Sequence, residues 1–124
     1  MLSRRIAPVR PEALPMTISR LSPDFGASPQ IAVDEVAELV SLGYRSVMCN
    51  RPDGESADQT PADSIRAEAE RQGLVFAFVP VVSGQITETN VADFKTALAA
   101  LPKPVLAYCR SGARCQNLWM LAQR

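Results

Sequence analysis

The chain has 124 residues, 47% of them hydrophobic and 21% charged, the balance of one globular domain that withdraws roughly two-thirds of its unfolded surface from water. Its 13 basic and 13 acidic side chains cancel, with no long run of one sign, so neither nucleic acid nor an anionic membrane is expected as a partner. Histidine is absent, which excludes Ser-His-Asp triads, Cys-His dyads and ordinary zinc sites, and no cofactor is expected.

Residues 1–15 carry Arg4, Arg5 and Arg10 without an apolar run of signal length and read as a flexible tail ahead of a single domain over 16–124. A short strand is expected at 17–21, ended by Ser22-Pro23. Helical spacing of Val33, Val36, Ala37, Leu39 and Val40, followed by Gly43, predicts a helix over 33–42. A buried strand at 46–50 runs into the turn Pro52-Asp53-Gly54. Thr60 as cap with Pro61 in the first turn predicts a second helix, closed by Gly73. The run 74–79 is apolar throughout and reads as a strand covered on both faces. A third helix starting near Thr87 or Thr89 places Val91, Phe94, Leu98 and Leu101 on one stripe. A strand at 105–108, a loop and a helix to Arg124 complete the chain.

Strand and helix alternate, which predicts an α/β fold: a mainly parallel sheet of about four to five strands with helices on both faces. Ligands of such sheets sit beyond the carboxyl ends of the strands, where loops 51–55, 81–85 and 109–114 gather. No stretch approaches the ~20 apolar residues of a membrane span. Three cysteines, Cys49, Cys109 and Cys115, form no CxxC pair and suit a reducing, cytoplasmic setting.

The last of these loops carries the chemistry. Cys109-Arg110-Ser111-Gly112-Ala113-Arg114-Cys115 leaves a buried strand and opens a helix, so its amides form an anion-attracting nest around Cys109. Such surroundings lower cysteine pKa values to ~3.5–7.5, making a nucleophile without histidine. Gly112 permits the turn, and Arg114 offers a planar fork to two anion oxygens. Arg110 points to solvent and steers anions, or has no role. Arg51 either supplements the clamp or forms a surface ion pair with Asp53 or Glu55. Cys49 reads as a buried filler and Trp119 as a core residue.

The string CRSGAR resembles the active loop of rhodanese-type sulfurtransferases, which implies a persulfide on Cys109. From Ile18 through SPQI, LGYRSVMCNRPDGE and GLVFAFVPVVSGQIT to VLAYCRSGARCQNLW, the chain resembles the beta-lactamase-hydrolase-like, phosphatase-like domain family. That resemblance covers about residues 16 to 122. It implies the fold of cysteine-dependent dual-specificity phosphatases. It also implies a persulfide dioxygenase-type partner, since family members in bacteria occur alone or joined to such domains. Relatives usually continue past the loop helix, so a chain stopping at Arg124 is expected to lack one covering helix. Where these families commonly have serine after the loop arginine, this chain has Cys115, either a resolving thiol for Cys109 or a serine replacement packed under the loop.

Two enzymatic readings compete. Cysteine phosphatases normally place one residue more between cysteine and arginine, and use an aspartate after the strand equivalent to 75–79 as general acid. Here Val82-Ser83-Gly84 stands in that place, with Asp53 or Glu55 as the remaining acids and Ser83 a poor donor. Sulfur transfer needs no acid. The sequence reading therefore favours a cytoplasmic sulfurtransferase, in which Cys109 takes sulfane sulfur from thiosulfate, a persulfide or a polysulfide and passes it to a thiol. The alternatives are a phosphatase acting on a phosphate ester through a Cys109 phosphocysteine, and a non-catalytic anion-binding regulatory module.

Overall fold

A computed structural model describes residues 16–124; the expected tail, 1–15, lies outside the described residues. The chain begins with a hairpin, β1 (Ser19–Ser22) antiparallel to β2 (Phe25–Ser28). Sequence reasoning found β1 and missed β2. Phe25-Gly26-Ala27-Ser28 has weak strand propensity, but it is fully buried and paired on both sides, with β1 and with the later strand β5 (Val105–Tyr108). A Cβ on Gly26 would collide with the Tyr44 hydroxyl and Ile18, so either side chain would have to shift to admit one.

The helix expected over 33–42 is divided, a 3-10 turn at Val33–Glu35 leading into α1 (Val36–Ser41). Gly43, at φ +94°, ends it. After β3 (Ser46–Cys49) comes α2 (Ala62–Arg71). Its cap differs from the one expected: Pro61 is the N-cap residue, and the Ala62 amide donates across the loop to the Asp53 carboxylate at 2.8 Å. β4 (Val75–Phe78) and α3 (Glu88–Ala100) follow, the latter opened by a reciprocal cap between Thr87 and Asn90. α4 (Ala113–Ala122) comes after β5.

The sheet order is β1-β2-β5-β3-β4, with every pair after the first parallel. This is the α/β architecture expected, with helices on both faces. Strand alternation divides the core. Val47, Cys49, Leu106 and Tyr108 pack toward α1 and α2, whereas Met48, Val105, Ala107 and Cys109 pack toward α3 and α4. Trp119 stacks on Phe25 at 6.0 Å between ring centres and is a packing residue. β4 is not covered on both faces as expected. It pairs with β3 alone and occupies the sheet edge, leaving Val75 44% and Phe78 38% exposed. Because β3, β4 and β5 run parallel, the loops leaving them emerge at one end, with Cys109 the first residue beyond the central strand.

Candidate active site

The loop between β5 and α4 is braced against the segment after β2. The Cys109 amide donates to the Ser28 carbonyl at 3.2 Å, and the Gln30 amide donates to the Arg110 carbonyl at 3.2 Å. Gly112 has φ +93°, and a Cβ on it would lie 3.3 Å from the Ser28 carbonyl carbon, so the turn requires glycine. That turn aims the Gly112 amide at Cys109 Sγ, 3.1 Å away. The amides of Arg114 and Cys115 in the first turn of α4, and the Cys115 thiol, also favour the charged form of this sulfur. The Cys115 thiol is the strongest of these influences, and with the amides it outweighs the cost of burial, lowering the Cys109 pKa from 9.0 to about 5. Burial first, then the neighbouring Cys109, pushes the Cys115 thiol well above its ordinary value and keeps it a protonated donor. Both sulfurs belong to fully covered residues.

Behind the loop, two buried arginines share one carboxylate. Glu55 accepts from Arg114 Nη1 and Nη2 at 3.0 and 3.1 Å and from Arg51 Nε at 2.9 Å. Burial opposes ionisation of Glu55, but the Arg114 and Arg51 hydrogen bonds override it and hold the carboxyl below its ordinary range. Arg51 also donates to Gln30 Oε1 and Ser56 Oγ. It is therefore a buried partner of Glu55, not the surface ion pair expected. With Glu55 end-on across Nη1 and Nη2, and Val81 O taking the other Nη1 proton at 2.9 Å, the remaining donors of Arg114 are Nε and the outer Nη2 proton. Nε is buried without a partner. That free edge is the planar fork an oxyanion takes up.

A cavity of about 480 Å³ lies over the loop, walled by Ser83, Gly84 and Ile86 on one side and by Arg110, Ser111, Ala113, Arg114 and Asn117 on the other. Arg110 is exposed at its rim. The structure thus brings Arg110, Ser111, Ala113, Arg114 and Ser83 to one cavity, while Gly112, Cys109 and Cys115 of the same segment are buried and do not line it. Asp53 and Glu55, the acids suggested by the sequence, are committed elsewhere, Asp53 as the α2 cap and Glu55 between the arginines. Cys49 is buried, and its thiol donates to the Arg51 carbonyl at 3.2 Å. Asn117 and Gln30 were missed. Asn117 follows Ala113 and Arg114 at helical spacing, a signal that would have found it; Gln30 carries none. Among the described residues no group of three or more metal-binding side chains comes together, and no helix is long and apolar enough to cross a membrane.

Residues 17–124 match the family model for the beta-lactamase hydrolase-like protein, phosphatase-like domain. The chain belongs to this family. This phosphatase-like domain is 37% identical over 108 residues to the beta-lactamase hydrolase-like protein of Xylella fastidiosa, covering 87% of the chain. It spans about a quarter of the length of the curated relatives it matches (25%). Among solved structures, a candidate phosphatase from Neisseria meningitidis is similar at TM-score 0.78 and 32% identity, over 84% of this chain and 74% of that one. A cysteine-to-serine form of P. aeruginosa TpbA in complex with phosphotyrosine shares the fold at TM-score 0.59 and 20% identity, over 78% and 55% of the two chains. The fold is that of the cysteine phosphatases, as the resemblance implied.

Proposed function

We propose that this domain is a cysteine-dependent phosphatase, hydrolysing phosphate monoesters through a phosphocysteine on Cys109. The observation that carries the reading is a covered cysteine sulfur that accepts from the Gly112 amide and is held ionised by the first turn of α4, in a loop whose arginine has a buried Nε without a partner. The thiolate is the nucleophile. Arg114 and the loop amides hold the phosphoryl oxygens, and Glu55 keeps the guanidinium in place. Kinship with a phosphatase-like family, and a phosphotyrosine complex of a similarly folded protein, support this choice over the sulfur transfer favoured by sequence alone. Because Cys109 is fully covered, attack requires the loop to widen around the incoming phosphoryl group.

Sulfur transfer is the second reading. The short Cys-x4-Arg ring and a cavity without a carboxylate favour it, since a sulfane sulfur is smaller than a phosphoryl group and its transfer needs no acid. Its donors would be thiosulfate, a persulfide or a polysulfide. One experiment separates the two: turnover of an activated aryl phosphate by the full chain, set beside its intact mass after incubation with thiosulfate or polysulfide. Phosphate release that disappears in Cys109→Ser supports the phosphatase. A stable gain of one sulfur on Cys109 with no phosphate release overturns it.

A further inference from the structure

A cysteine phosphatase usually protonates the oxygen that leaves the phosphorus, a contribution of ~10²- to 10⁴-fold in rate. The cavity lined by the Cys109 loop offers nothing suited to that task. Its polar walls are Ser83, Ser111 and Asn117, with Arg110 and Arg114, none of which is a suitable proton donor. Three carboxyls of the β3–α2 segment are committed. Asp53 caps α2, Glu55 is ionised between two guanidiniums, and Asp58 accepts from the Ser56 hydroxyl at 2.8 Å, a hydrogen bond that favours its charged form. Residues 79–85, the loop that covers the cavity from β4, contain no ionisable side chain.

We infer that the substrates are aryl phosphates, monoesters whose leaving oxygen departs as an anion stabilised by its own ring, and that alkyl phosphates are disfavoured by the missing acid. The inference rests on the phosphatase reading above. In the first step the Sγ lone pair forms the S–P bond while the P–O bond breaks, its electrons leaving on the aryloxide without a proton. Water then attacks phosphorus, the S–P electrons return to Sγ, and phosphate departs carrying both protons of that water. Arg110, exposed at the rim, supplies a positive charge toward which the aryloxide leaves.

The test uses the full chain with substituted phenyl phosphates of graded leaving-group acidity and one alkyl phosphate, read as kcat/KM because that ratio reports the first step. The expected result is a steep fall as the phenol becomes less acidic, alkyl turnover lower by at least ~10²-fold, and a solvent deuterium isotope effect near unity. Ser83→Asp, which adds a carboxyl to the cavity wall, should raise the rate for poor leaving groups more than for good ones. Rates independent of leaving-group acidity, with a clear solvent isotope effect, would overturn this inference and leave the phosphatase reading standing. Failure to turn over even the most activated ester would overturn both.

Discussion

Replacing Glu55 by glutamine tests the electrostatic arrangement behind the loop. Glu55 receives hydrogen bonds from two guanidiniums whose side chains are only 4% and 7% exposed, while its own is 21% exposed. Glutamine keeps the shape, loses the charge and turns an amide toward a cation. Removing one partner of a buried ion pair costs about 3–5 kcal/mol, largely because the remaining charge stays buried and unpaired. Here the partial exposure of Glu55 and the carbonyls around Arg114 argue for the lower end, about 3 kcal/mol. At about 3–5 °C per kcal/mol for a chain of this size, Glu55→Gln should lower the Tm by about 10 °C, followed by circular dichroism. A cycle with Arg51→Gln should show a coupling of about 0.5–3 kcal/mol. A variant melting within about 2 °C of the wild type, with additive single effects, would refute the claim that Glu55 holds both arginines.

Further outcomes follow from the loop. Gly112→Ala forces an alanine to φ +93° against the Ser28 carbonyl; it should cost about 1–3 kcal/mol in denaturant unfolding and raise the Cys109 pKa as the Gly112 amide moves off the sulfur. Cys115→Ala removes the strongest donor to Cys109 and should raise that pKa, while Cys115→Ser, retaining a hydroxyl donor, should keep it low; equal titration of both variants would exclude the thiol contact. Folding lowers the Cys109 pKa from 9.0 to about 5, so between those values the unfolded chain binds the extra proton. The resulting stability is complete above pH 9 and is lost as pH falls through about 5. The Tm difference between wild type and Cys109→Ser should accordingly grow as pH rises across that window, and parallel curves would contradict it.

Some of this was written locally in the chain. The loop could be read from CRSGAR because strand, glycine turn and helix start adjoin there, and the chemistry of such a nest depends on neighbouring amides. The NRPDGE block was recognisable as a site loop, but the assignments within it were not. Asp53 serves a helix start nine positions on, and Glu55 meets Arg114 across 59 positions, distances that residue patterns do not register. β2 escaped notice because Gly26 and Ala27 owe their strand to neighbours on both sides and to the space Tyr44 requires. β4 misled in the opposite way: an unbroken apolar run marks a central strand, yet here it forms an edge.

The proposed chemistry depends on Cys109 carrying a negative charge at neutral pH without histidine. Thiolate absorbance in the ultraviolet, titrated on the full chain and corrected with Cys109→Ser, measures that directly. A single ionisation with its midpoint at about 5 is the expected result. A sulfur that titrates at the ordinary 9.0, or does not ionise before the protein unfolds, would contradict it.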